Sequence, residues 1–371
     1  MFKYDVLIER KDICNYEAEI KTIDRYVSKK EKIVLIAPRR FGKTSIAINV
    51  IGKKYSSQRG PHVFCYANFQ EVVDLNSMAT RLAHALEYAI NHTFPVKTRI
   101  SKILDAFKLL RPQVEIDPVS GKPSLSLTLG NNPQKELADI FETIHSFSKR
   151  YPFLLCIDEV QDIAAVPEAE ALLRAFLQNM AHSPVMITGS KKHMLANIFL
   201  DERKPLYNWG KIVELKPIEI NKWKKYIMAR FKNKKLNIAD AALNYLLDGT
   251  FYIPNYICKI CSELYETHTG HEVSMVDVEH AIHKIYLDTQ NLYAEKISFL
   301  THNQVRFLVL LAKMTYIKEI TAKEIIGKCR LSTRGISQIV STLLDKGYIE
   351  KEEEGIRIAD PFFAYYLSRE F

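Results

Sequence analysis

The run Ile36-Ala-Pro-Arg-Arg-Phe-Gly-Lys-Thr-Ser45 puts a bendable backbone, a cation and a hydroxyl at three adjacent positions, Gly42, Lys43 and Thr44. It follows the apolar run Lys32–Ile36 and precedes the helical pattern Ser45–Ile51. Such a strand–loop–helix junction aims main-chain N–H groups and the positive end of a helix dipole at an anion. Glycine lets the backbone approach phosphate oxygens without a side chain in the way. The lysine places a point charge on the β and γ oxygens, and the threonine offers a hydroxyl to Mg²⁺. The pattern is that of a P-loop, with Ala37 in the place of its first glycine. Ala37, Pro38, Arg39, Arg40, Phe41, Gly42, Lys43, Thr44 and Ser45 are therefore the candidate nucleotide-binding residues.

A second run, Tyr151-Pro-Phe-Leu-Leu-Cys-Ile-Asp-Glu159, is an apolar strand ending in two carboxylates. By itself such an ending is a common surface turn. Following a P-loop in the same pattern, it supplies what phosphoryl transfer needs: metal neutralisation and a positioned nucleophile. Asp158 would hold Mg²⁺ together with Thr44, and Glu159 would orient and deprotonate the attacking water. A third apolar run, Val185-Met-Ile-Thr-Gly-Ser190, also ends in polar residues. Thr188 or Ser190 could bond the γ-phosphate or the water, and a plain strand cap is the alternative. Lys43, Asp158, Glu159 and Ser190 are the candidate catalytic residues.

These groups need elements to position them. Strand-like runs at Lys32–Ile36, His62–Phe69, Phe153–Asp158, Val185–Ser190 and Lys211–Leu215 alternate with helical patterns at residues 75–110 and 134–150. That alternation predicts a parallel sheet covered on both faces. Alternating residues at 113–130 around Asp117-Pro-Val-Ser-Gly-Lys-Pro123 predict an inserted β-hairpin. The alternation stops near Pro217, and residues 218–292 read as wholly helical. Three helices and two short strands follow from about residue 300. The expected division is a core at 1–217, a helical lid at 218–292 and a winged helix at 293–371.

The chain has 371 residues, 47% of them hydrophobic and 26% charged, which excludes wholesale disorder. A net charge of +9 favours anionic partners in general. The longest apolar runs fall far short of the ~20 residues that span a bilayer, so no membrane partner is expected. The first residues turn charged too early for a secretory signal. Six scattered cysteines fit reduced thiols in a cytoplasmic protein. Cys258 and Cys261 form a lone C-x-x-C without two further zinc ligands, so buried thiols are expected.

Together these motifs resemble the archaeal-type ATPase family, a P-loop branch close to the AAA+ and STAND groups. The resemblance rests on Ala37–Ser45, Leu154–Glu159 and Ile187–Ser190, with weaker support from Lys204-Pro-Leu-Tyr207, Gly249-Thr-Phe-Tyr-Ile-Pro254 and Asp360-Pro-Phe362. It implies a core sheet of order 5-1-4-3-2, a helical lid, a C-terminal winged helix, and ATP or ADP with Mg²⁺. Pro254 then falls in the lid region near the nucleotide base. Tyr16 stands where the family's Asn-Arg-Glu entry segment has arginine. After Pro-Leu-Tyr the family's Gly-Arg is replaced by Asn208-Trp-Gly-Lys211, so the cation that would finish the site is Lys211 or Arg203. Lys259 is the nearest lid cation. Hydrolysis would then be slow or dependent on a protein client or self-association.

Two functions follow. One is an Mg²⁺-dependent ATPase acting as a switch coupled to the winged helix. The other is a non-catalytic adaptor that holds ATP or ADP and is gated by it. Residues 221–239 carry seven cations and no acid, which suits a phosphate backbone or a solvated helix face. The third winged-helix element would expose Arg334, Ser337, Gln338 and Ser341, residue types suited to DNA. From Leu300 to Phe371, eleven Lys/Arg meet nine Asp/Glu, a weak basic footprint for a DNA reader. DNA and protein both stand as partners for that domain.

Overall fold

The computed structural model describes residues 2–98, 107, 109–116, 123–190, 195, 198–352 and 355–371. The expected helical position Ile103, the hairpin turn at 117–122 and the wing-tip residues Glu353 and Glu354 lie outside them. The chain forms two compact units, Tyr4–Pro217 and Met1–Lys3 with Ile218–Phe371.

The first unit is built on β1 (Lys32–Ile36), β2 (Val63–Asn68), β5 (Phe153–Asp158), β6 (Val185–Gly189) and β7 (Lys211–Glu214), with a separate hairpin of β3 (Pro112–Ile116) and β4 (Pro123–Leu127). The five-stranded sheet has the order β2-β5-β6-β1-β7 and every pair is parallel. Counted along the sheet strands alone, this is the expected 5-1-4-3-2. All six positions of β5 and all five of β6 are buried, as a strand covered on both faces requires. The register pairs Ile36 with Gly189 and Ile157 with Ile187, so β1, β5 and β6 end at one edge. That edge is where a doubly wound sheet receives a ligand.

The helix Leu75–Thr93 starts in a capping box between Asp74 and Ser77 and buries Met78, Leu82, Leu86 and Ile90. It ends earlier than the apolar pattern suggests, at Phe94-Pro95, because the residue before proline is pushed out of the helical region. The hairpin is tied to it by Asn91, whose side chain exchanges two 2.8 Å hydrogen bonds with the Leu125 backbone. The helix after the phosphate loop widens into a π-helical stretch, Ile46–Gly52.

In the second unit, helices Ile220–Phe231, Asp240–Gly249, Pro254–Thr267 and Met275–Ser298 are joined by a two-residue parallel pair, β8 (Asn237–Ile238) and β9 (Glu272–Val273), which the helical pattern hid. Cys258 and Cys261 are buried thiols, and no cluster of metal-binding residues occurs among the described residues. Helices His302–Met314, Lys323–Cys329 and Thr333–Asp345 lead to the antiparallel wing β10 (Ile349–Glu352) and β11 (Gly355–Ile358). Ser332 caps the third helix by accepting the Gly335 N–H.

A final helix, Pro361–Glu370, completes the unit; the sequence pattern did not reveal it. Asp360 caps it, and the Tyr293 hydroxyl donates to the same carboxylate at 3.2 Å. Tyr256 meets Phe362 edge-on at 5.2 Å. The lid helices and the winged helix therefore share one apolar core. Within the basic stretch, Lys224 pairs with Asp240, Lys234 donates to the Tyr265 carbonyl, and Arg230 stacks on Tyr226 at 3.9 Å. Those three cations serve the unit itself. Among the described residues, no helix is long and apolar enough to cross a membrane.

Candidate nucleotide site

The loop after β1 shows why alanine serves at its start. Ala37 is fully buried and its N–H still donates to the Gly189 carbonyl at 3.4 Å, continuing the β1–β6 ladder. Nothing there demands a positive φ. The left-handed turns come later, at Arg40 (φ +67°) and Gly42 (φ +85°). A Cβ on Gly42 would meet no atom within 4 Å, so this face of the loop is open. Pro38 is half-buried, Arg39 and Arg40 are exposed, and Phe41 is buried as the anchor of the loop. Ser45 accepts the Ile8 N–H at 3.1 Å, which straps the N-terminal segment to the helix.

Sheet order brings the second run to this loop. Thr44 Oγ1 donates to Asp158 Oδ2 at 2.7 Å. Lys43 Nζ lies 2.6 Å from Glu159 Oε1 and 3.6 Å from Asp158 Oδ1. Thr188 donates to Asp158 Oδ1, and Ser190 Oγ donates to Glu159 Oε2 at 2.8 Å. Thr188 and Ser190 thus each hold a different carboxylate. Asp158 is 1% exposed. Burial pushes its carboxyl up, but the Lys43 ammonium and the hydroxyls of Thr188, Thr44 and Tyr66 outweigh that and hold it below the ordinary carboxylate range.

Two members of the site escaped sequence reasoning. Tyr66 OH donates to Asp158 Oδ2 at 2.9 Å. Burial, then the charge of Asp158, raises its phenol far above the usual value, so it stays a donor. Gln161 Nε2 donates to Glu159 Oε2. The only signal in the sequence was a polar residue near a strand end, a weak one.

The other candidates are placed by their own elements. Pro254 opens the helix Pro254–Thr267 in the second unit. Lys211 is exposed at the start of β7. Arg203 is 88% exposed and its fork closes on Asp201, Nε to Oδ1 at 3.0 Å and Nη2 to Oδ2 at 2.8 Å. Tyr16, in place of the expected arginine, is buried and donates to the Lys216 carbonyl at 2.9 Å.

The donor set fits a magnesium nucleotide. Mg²⁺ takes hard oxygens, one or two from protein and the rest from phosphate and water. Thr44 and Asp158 present such oxygens side by side, next to an ammonium and an open glycine face.

Residues 291–369 match the family model described as a probable winged helix domain. No curated protein matches the chain in sequence. Among solved structures, the Walker-type ATPase of Pyrococcus abyssi is similar over 97% of both chains, with a TM-score of 0.64 and 17% identity. The ORC2 protein of Aeropyrum pernix, solved as ADPNP–ADP complexes, is similar over 97% of this chain and 96% of its own, at TM-score 0.55 and 11% identity. The ORC1 protein of Aeropyrum pernix in complex with DNA covers 95% and 92%, at TM-score 0.53 and 13% identity. The chain thus has the fold of P-loop ATPases that carry a C-terminal winged helix. Within that class, its architecture agrees with the resemblance to archaeal-type ATPases.

Proposed function

We propose that the protein is a Mg²⁺-dependent ATPase that acts as a nucleotide-driven switch coupled to its winged helix. The observation that carries this reading is the convergence of Lys43, Thr44, Asp158 and Glu159, from two distant segments, onto one open glycine-lined loop. Bound Mg²⁺ would supply charge neutralisation at the phosphates, with Thr44 and Asp158 as its protein ligands. Lys43 grips phosphate oxygens, and the main-chain N–H groups of the loop orient them. Glu159 accepts the proton of the attacking water, and Ser190 steadies the Glu159 carboxylate.

The Lys43–Glu159 pair is the resting arrangement. Phosphate must draw Lys43 away from Glu159, so nucleotide entry both occupies the lysine and releases the base. Because lid helices and winged helix share one core, whatever moves the lid carries the winged helix with it. The third helix of that domain exposes Arg334, Ser337, Gln338 and Ser341. Duplex DNA is the first candidate for this face, since the ORC1 neighbour was solved with DNA. A protein client is the alternative, and self-association would place a second chain's cation at the site.

The adaptor reading draws on one observation. Arg203, one of the two cations expected to finish the site, is folded onto Asp201. Calorimetry with Mg-ATP and Mg-ADP, followed by phosphate release with and without DNA, separates the readings. Binding with turnover supports the switch. Tight ADP with no turnover under every condition supports the adaptor, and no binding of either nucleotide overturns both.

A further inference from the structure

Gln161 lies two residues past Glu159, in the turn Val160–Ala165, and is 1% exposed. Its Nε2 donates to Glu159 Oε2 at 2.5 Å and to Asp162 Oδ1 at 3.3 Å. Asp162 accepts the Glu71 N–H at 2.9 Å through its other oxygen, which ties the turn to the loop after β2. The far end of the amide is different. Gln161 Oε1 is buried, and no donor among the described residues reaches it. It backs onto Gly189, where a Cβ would stand 2.6 Å from this oxygen and 2.6 Å from Leu195. Only glycine leaves the amide its place.

The amide cannot turn round, because a carboxylate offers acceptors alone and Nε2 must face Glu159. A buried carbonyl without a donor lowers stability. An apolar side chain of the same length would fill the space without that penalty. The fold therefore gives up stability to keep a donor at Glu159 Oε2.

Glu159 has need of such a guide. Its backbone is left-handed (φ +54°), and Lys43 holds its Oε1 at 2.6 Å. Once phosphate engages Lys43, that restraint is gone. Ser190 and Gln161, both on Oε2, are what remains to fix the plane of the carboxylate and leave Oε1 as the proton acceptor.

We propose that Gln161 is a positioning residue that keeps Glu159 aligned for proton acceptance after Lys43 has turned to phosphate. The proposal rests on reading the site as an ATP-hydrolysing centre. Gln161→Met retains the length of the side chain and removes the amide. In the full chain with Mg-ATP, its kcat falls about 10- to 100-fold while KM stays within about twofold. Its thermal midpoint holds or rises. Gln161→Asn returns a donor on a shorter stem and recovers part of the lost kcat. A side chain kept for packing alone gives the reverse, with kcat unchanged in the Met variant and no gain from Asn. Wild-type kcat, or a lowered midpoint, in Gln161→Met overturns the positioning role and leaves the ATPase reading intact. A wild-type protein without turnover, with or without DNA, overturns both.

Discussion

Two buried clusters in this molecule have the same charge count and opposite designs. In the core, Lys43 stands between Asp158 and Glu159, with the lysine side chain 6% exposed. In the wing, Arg357 stands between Glu350 and Glu352, with the arginine side chain 8% exposed. The lysine is a point charge with rotatable donors, and its acids are held by other groups as well: Thr44, Tyr66 and Thr188 on Asp158, Ser190 and Gln161 on Glu159. Lys43 can leave without stranding them. Arg357 uses its planar fork on Glu350 at 2.6 Å, Glu352 at 3.2 Å and Tyr316 at 3.0 Å, and lies 5.1 Å from the Phe251 ring of the lid. It has nowhere else to go. On the proposed reading, a buried cation that turns to a ligand is surrounded by redundancy, whereas one that fastens two parts of a fold is not.

The sharpest test of the first cluster is Glu159→Gln. Turnover should fall by about 10²–10⁴-fold while nucleotide affinity is kept, as measured by phosphate release beside calorimetry. Equal turnover in this variant would assign the base elsewhere. Lys43→Ala should weaken Mg-ATP by about 100-fold, the loss expected from about 2–3 kcal/mol of charge-assisted bonding. Its thermal midpoint without nucleotide should move little, because the two acids keep other partners.

Arg357→Ala should do the converse. The glutamates are partly exposed, so the penalty is discounted to about 2–3 kcal/mol, read as a lower midpoint in denaturant, with nucleotide affinity unchanged. Arg357→Lys should recover less than half of it, since an ammonium lacks the fork. If Arg357→Ala weakened nucleotide and spared stability, the contrast between the clusters would be false.

The smallest effect concerns acid. Asp158 binds its proton less readily folded than unfolded, so its contribution is complete above the ordinary carboxylate pKa of about 3.9 and fades as pH falls below it. Asp158→Asn should flatten that part of the stability–pH curve. An unchanged slope would show that Asp158 does not titrate as described.

The contiguous parts of the site were legible in the sequence. Gly42, Lys43 and Thr44 follow one another at a strand–helix junction, and Asp158 with Glu159 ends an apolar run, so local pattern suffices. Tyr66 and Gln161 were not legible. Tyr66 reaches Asp158 because β2 lies beside β5 in register, a fact of sheet order. Gln161 reads as one polar residue in a mixed turn, and only the missing Cβ of Gly189 gives it room. Arg357 sits between Ile356 and Ile358 in the wing, and its cover by the lid's Phe251 is a distant contact that no local pattern carries. The last helix has a sound start signal in Asp360-Pro361, but the pattern of three helices and two strands stops short of it.

Phe2 has a further implication. Its ring is buried against Phe231 and Tyr226, and its carbonyl accepts from Ser262, 260 positions away along the chain. Phe2 therefore finds its slot only after the chain as far as Ser262 has been made. Domain-wise folding during synthesis can finish the Tyr4–Pro217 unit on its own, while the second unit draws on chain from either side of it. A fragment expressed from Ile218 onward would carry a vacant aromatic-sized hole beside Tyr226 and Phe231.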